Sequence, residues 1–298
     1  MRHSSILLIT VVATILPSCA TPEKKFTPVI EGGATTQPVQ EGAWDDAPIL
    51  CVRLRMVTIE APVGTISESE QLWSYLNEEP VASSRYAAGL GRNGFRIGLG
   101  RKDAWADMAG VLKQMTGRTL QESEAVALRG NPLKISLKTD QPEQVIFTYY
   151  NDRTLCGLSY APGDNVLSLT FTLDDDDPFK IMVTGLPQIR SLTRKPTMVR
   201  DGGKFRMAQA SPTSSFDPLT FQFTIPSGDF IVIGPNSQSR RRSSVGYHFL
   251  INNKEGTDFE TVLVLAPEVI TAHTKSAEPP VGKDQTQGGN WKAQDAKQ

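Results

Sequence analysis

The chain has 298 residues, of which 39% are hydrophobic and 21% charged, the makeup of a globular protein of one or two domains with apolar material enough for a real core. Its 31 Lys and Arg stand against 32 Asp and Glu, giving a formal net charge of -1 and a pI near 6.3. This composition excludes the strongly basic footprint of a dedicated nucleic-acid binder, and it excludes a disordered or fibrous chain.

The first element in chain order is Arg2 and His3, followed by the apolar run Ile6 to Leu16 and then Pro17, Ser18, Cys19 and Ala20. A membrane-spanning helix needs about 20 apolar residues, so this shorter run with a positive start and small residues after it reads as a secretory signal peptide over 1–18. The tetrad Leu16-Pro17-Ser18-Cys19 resembles a bacterial lipobox. The resemblance implies cleavage after Ser18 and a thioether-linked diacylglycerol on Cys19, whose acyl chains would hold the mature protein to a membrane. Two or three such chains exceed the single chain that binds only reversibly. Ala20 and Thr21, standing where some lipoproteins have aspartate, imply an outer-membrane destination. Residues 19–47, rich in Pro, Gly, Thr, Gln and charge, read as a flexible linker.

Folded structure is expected from Pro48. Ile49 to Pro62 alternates with a period of two, placing Leu50, Val52, Leu54 and Met56 on one strand face. Ser67 and Glu70 have capping-box spacing ahead of a helix carrying Leu72, Trp73 and Leu76, which Pro80 ends. A helical stretch over Ser84 to Leu90 and a strand at Phe95 to Leu99 come next. Asp103 then caps a helix with the stripe Trp105, Met108, Ala109, Leu112 and Met115, and Gly117 stops it.

Beyond Leu133 the period becomes two, with short strands at 133–138, 145–150, 155–160, 166–173, 179–184, 204–209, 219–225, 230–233, 246–251 and 261–265, separated by turn-rich pieces such as APGD, RDGG and PSGD. The expected fold class is α+β: a small mixed α/β module over 48–130, an antiparallel β-rich, sandwich-like module over 131–272, and a disordered polar tail over 273–298.

Several residue groups invite chemistry. Gly89, Gly91 and Gly94 stand in G-x-G-x-x-G order, but helix precedes and strand follows, the reverse of a dinucleotide loop, so they read as a helix end and an Asn93-Gly94 turn. Arg92, Arg96 and Arg101 nearby read as a solvated face. His248 is the one histidine of the folded part and reads as a strand histidine, so no multi-histidine metal site and no cofactor is expected.

Asp174, Asp175, Asp176 and Asp177 are weak calcium candidates whose spacing is not that of an EF-hand, and a solvated turn is the favoured reading. Arg240, Arg241 and Arg242 form an exposed basic loop suited to an acidic lipid, a polysaccharide or the acidic face of a partner. Cys51 and Cys156 are either a disulfide or two free buried thiols.

The segment Leu219 to Asn236, with Gly228-Asp229 and Ile233-Gly234, and the closing Leu265-Ala266-Pro267-Glu268-Val269-Ile270 resemble the end of the secretin homology region of outer-membrane secretins. "RRRSSVGYHFLINNKEG" replaces the glycine- and proline-marked lip of that family. No nucleophile elbow, metalloprotease helix or P-loop is present. The expected function is therefore that of a lipid-anchored envelope protein, non-catalytic, that binds or scaffolds an envelope protein partner and no nucleic acid. The alternatives are a secretin-related accessory subunit and an envelope hydrolase acting on glycan or peptide through Glu78, Glu79 or the Asp174 cluster.

Overall fold

In the computed structural model the described residues are 30–32, 49–82, 87–150, 154–201 and 204–272. The signal segment, Cys19, most of the linker and the tail 273–298 lie outside them. Chain order begins with β1 (Ile30–Gly32), inside the expected linker, and β2 (Ile49–Pro62). The short helices α1 (Glu70–Trp73), α2 (Glu79–Ala82) and α3 (Ala87–Arg92) lead to β3 (Phe95–Gly100), α4 (Trp105–Thr116) and β4 (Glu122–Leu128). Six strands follow: β5 (Leu133–Gln141), β6 (Gln144–Tyr150), β7 (Thr154–Tyr160), β8 (Gly163–Leu173), β9 (Lys180–Ser191) and β10 (Lys195–Asp201). The chain closes with β11 (Lys204–Ala210), β12 (Thr213–Ser215), β13 (Phe221–Pro226), β14 (Phe230–Pro235), α5 (Val245–Leu250), β15 (Ile251–Lys254) and β16 (Thr257–Ala272). No helix among the described residues is long and apolar enough to cross a membrane.

The molecule is β-rich and antiparallel. One sheet runs β1-β5-β8-β9-β12 with β13 also on β9, and a second runs β3-β14-β16-β2-β4 with β15 on β16. The sheets face one another. Leu133, Ile135, Leu167, Leu169, Phe171, Val183 and Phe221 of the first meet Leu54, Met56, Ile231, Ile233, Leu263 and Leu265 of the second in one continuous core. The far side of the second sheet carries a second core, where Val57, Ile59, Val232 and Val264 pack on Trp73, Met108 and Leu112 of α1 and α4. Strand β2 thus buries Leu54 and Met56 on one face and Val57 and Ile59 on the other, because successive side chains point to opposite faces.

The expected division at 130/131 does not coincide with the sheets. β16 pairs with β2 along its length, from Phe259 opposite Pro62 to Ala272 opposite Ile49, and β14 pairs with β3. Segments far apart in sequence build one sheet, since antiparallel neighbours need only complementary alternation, not proximity along the chain.

Local expectations shift in the same way. The α1 cap is Ser69, whose hydroxyl accepts from Leu72 N at 3.1 Å, while Ser67 N donates to Glu260 at 2.9 Å. Asp103 does not cap α4, which continues a 3-10 turn over Lys102–Ala104; Asp103 instead pairs with Arg101. Gly117 does end α4, in the left-handed conformation at φ 64. The stretch 246–251 is not a strand but mostly α5, capped by Ser244, whose hydroxyl accepts from Tyr247 N at 3.1 Å.

Candidate functional site

The turn after α3 meets the first turn of α5 and the loop before it through backbone contact. Gly94 takes φ +95, and a Cβ on Gly246 would stand 2.6 Å from Gly94 O, so both positions need glycine. Gly246 N donates to Asn93 O at 2.7 Å. Of the G-x-G-x-x-G glycines, Gly94 serves this close packing, Gly89 meets Pro218 O, and Gly91 has only ordinary contact with Asn236. Asn93, almost wholly buried, reads a third segment like a strand neighbour: its Oδ1 accepts from Tyr149 N at 2.9 Å, and its Nδ2 donates to Tyr149 O at 3.1 Å and Gly89 O at 2.8 Å. The β6 edge is tied to the basic loop where Phe147 N donates to Ser243 O at 2.8 Å.

At this junction lies an open hollow of about 290 Å³ lined by Gly91, Arg92, Tyr149, Gln238 and Arg241. Arg241 Nη1 donates to the Tyr149 hydroxyl at 3.0 Å, its Nη2 donates to Gln238 Oε1, and its guanidinium lies 5.6 Å from the centre of the Tyr149 ring. Beside the hollow, the outward face of the β6–β7 hairpin exposes Val145, Phe147 and Leu155, with Leu155 directly opposite Tyr149. An exposed Arg92 and an Arg241 held by Tyr149 and Gln238, next to apolar surface, suit a partner that brings carboxylates or phosphates on an otherwise apolar patch, because guanidinium forks bind such anions bidentately.

The other basic residues are engaged differently. Arg240 pairs with Glu68, Arg242 is exposed, and Arg101 pairs with Asp103. Arg96 pairs with Glu78 at 2.6 Å and stands 4.0 Å over the Trp73 ring.

Behind the hairpin is a buried polar cluster. Asn165, fully buried, exchanges hydrogen bonds of 2.9 and 3.0 Å with Gln144, and its Nδ2 also donates to His248 O at 2.7 Å. Lys138 Nζ donates to Tyr247 O at 3.0 Å and to Ile251 O. Together they satisfy the carbonyls at the end of α5. Burial pushes Lys138 down to about 7, with Asp258 opposing. Burial, and then the neighbouring Lys138 charge, push His248 down to about 4, and its Nε2 is buried without a hydrogen-bond partner. The expected strand histidine is thus a helix residue that stays neutral at ordinary pH.

A second hollow of about 170 Å³ sits beyond the end of the helical layer, floored by Val57, Trp105, Phe230 and Val264 and rimmed by Arg55, Lys102 and Glu122. Next to it Arg53 and Glu268 form a 2.6 Å ion pair that holds Glu268 below the usual carboxylate range, chiefly through the hydrogen bond from Arg53.

The remaining candidate residues lie elsewhere in the fold. Cys51 and Cys156 are free: Cys51 is buried in β2, opposite Ile270 and Leu128 in the second sheet, whereas Cys156 is on the β6–β7 hairpin opposite Thr148. The Asp174 cluster does not converge as calcium ligands. Asp174 Oδ1 accepts from Asp176 N, Asp175 pairs with Arg129, and Asp177 accepts from Phe179 N and pairs with Lys180, all in the β8–β9 turn. No group of three or more His, Cys, Asp or Glu able to hold a metal occurs among the described residues. Glu78 is bound by Arg96 of β3. Gly228-Asp229 is a crossover rather than a hairpin, since β13 pairs with β9 in one sheet and β14 with β3 and β16 in the other.

The fold defines an antiparallel β-sandwich with a helical cover on one side. No protein-family model, no curated protein and no solved structure matches this chain.

Proposed function

We propose that this chain is a lipid-anchored envelope protein, held by acyl chains on Cys19, with a non-catalytic binding or scaffolding role toward an envelope protein that carries an acidic patch. The observation that carries the reading is the junction where Arg92, Arg241 and Tyr149, drawn from three distant segments, share one open hollow beside the apolar face of Val145, Phe147 and Leu155. Buried amide bonds from Asn93 hold that junction in place, and such a pre-set surface loses little freedom on association.

A photo-crosslinking residue at Leu155 in membranes tests it. One discrete protein adduct is expected, lost when Arg92→Glu and Arg241→Glu are introduced together. An absent adduct, or one of equal yield in the charge-reversed protein, contradicts the reading.

A further inference from the structure

Strands β10 and β11 form a two-stranded ribbon that hydrogen-bonds to no other strand among the described residues. Met198 stands directly opposite Met207, and Phe205, two residues before Met207, shares their face. These three side chains are 65%, 67% and 65% exposed for Met198, Phe205 and Met207. The segment Leu192 to Ala210 also contains five basic residues against one acidic, in a chain whose overall charge is -1. Of these, Arg194, Lys195 and Arg206 are exposed.

The ribbon leaves a defined end of the first sheet. It is rooted at Ser191, opposite Gly163, which in turn stands opposite Gln141 of β5. Strand β1 runs antiparallel to β5, with Ile30 opposite Ile135 and Gly32 opposite Leu133, so its N-terminal side points to that same end. Cys19 is eleven residues before Ile30 and reaches at most about 40 Å from it. An acylated Cys19 would leave this end of the sheet within reach of the bilayer.

We infer that the β10–β11 ribbon is a second membrane contact, laying Met198, Phe205 and Met207 into the interface of an anionic lipid surface while Arg194 and Lys195 at its root meet the headgroups. A lipid surface fits better than a shaped protein partner. The ribbon offers an exposed apolar face, carries Arg194 at its root and Lys195 on its reverse side, and hydrogen-bonds to no other strand among the described residues; a bilayer takes up apolar side chains without requiring a complementary shape. Each cation at such a surface strengthens binding about fivefold, and one membrane signal supported by another gives lasting attachment. The inference rests on the anchored reading for the position of the bilayer, so the test removes the acyl chain and lets the two fail separately.

The test uses the chain from residue 19 onward with Cys19→Ser, which keeps every described residue. It is sedimented with vesicles of phosphatidylglycerol and phosphatidylethanolamine, or of phosphatidylcholine alone. Binding is expected only to the anionic vesicles, weakened by salt. Met198→Ser, Phe205→Ser and Met207→Ser together are expected to lower it at least tenfold with Tm unchanged, and Arg194→Ala with Lys195→Ala about twenty-five-fold. Absence of binding to anionic vesicles, or equal binding by the triple-serine protein, overturns the inference. Self-association in solution that the triple substitution abolishes, without vesicle binding, overturns it in favour of a second copy as the occupant.

Discussion

Among the described residues two ribbons, β6–β7 and β10–β11, each form a two-stranded sheet of their own, and they differ in what they bury. The first turns Gln144, Ile146 and Thr148 inward, all buried, and is clamped at three points: Asn165 on Gln144, Asn93 on Tyr149 and Ser243 on Phe147. The second presents Met198, Phe205 and Met207 to solvent. An isolated hairpin is marginal in water, so cross-strand pairing alone does not fix such an element. Buried, fully paired amides fix the first, and what is left unburied on the second is available for a surface outside the molecule.

The comparison breaks most sharply at Asn165. Asn165→Ala strands the Gln144 amide and the His248 carbonyl in a buried setting, and is expected to cost about 3 kcal/mol in urea unfolding. A loss under 1 kcal/mol would mean that the clamp does not hold the ribbon. The next effect is on pH. His248 is about 4 in the fold against an ordinary 6.5, so between those values the unfolded chain binds more protons and stability falls as pH falls. For a partly exposed group the loss is expected to be of order 1 kcal/mol, read from thermal melts between pH 7 and 4, and His248→Gln should flatten it. Lys138, at about 7 against 10.5, has the same sign in a higher window, so stability should rise from pH 7 toward 10.

Hydrogen exchange sharpens the contrast further. Amides of β6 are expected to exchange only with large-scale opening, and those of β10 and β11 by local opening orders of magnitude faster. Similar protection in both ribbons would contradict the distinction. The smallest effect is expected from the triple serine substitution at Met198, Phe205 and Met207, which should change folding stability by less than about 0.5 kcal/mol, as exposed sites do.

Much of the β-rich character was legible because alternation is local. The bounds of β2, the strand at β3 and the Gly117 stop follow from period and turn chemistry that need no partner. Other elements were hidden for identifiable reasons. β10 contains Pro196, which breaks a strand pattern, and β4 turns only Ser123, Ala125 and Ala127 inward, too small to mark a buried face, while Val126 and Leu128 point outward. In α5 the run Tyr247 to Ile251 has the aromatic and branched content of a strand, and only Ser244 signalled a helix start. The pairing of β2 with β16 was not legible at all, because nothing local in either strand names its neighbour.

The candidate site was half legible. The triple arginine and the Gly89–Gly94 turn each stood out, but Arg92 read as a solvated face, and Tyr149 and Gln238 gave no signal. Their place depends on Asn93 bonding a strand fifty-six positions away.

The most direct measurement is mass spectrometry of the N-terminal peptide from protein extracted from membranes with detergent. The account predicts a chain that begins at Cys19 and carries a thioether-linked diacylglycerol there. An unmodified thiol at Cys19, or a chain still beginning at Met1, would contradict it.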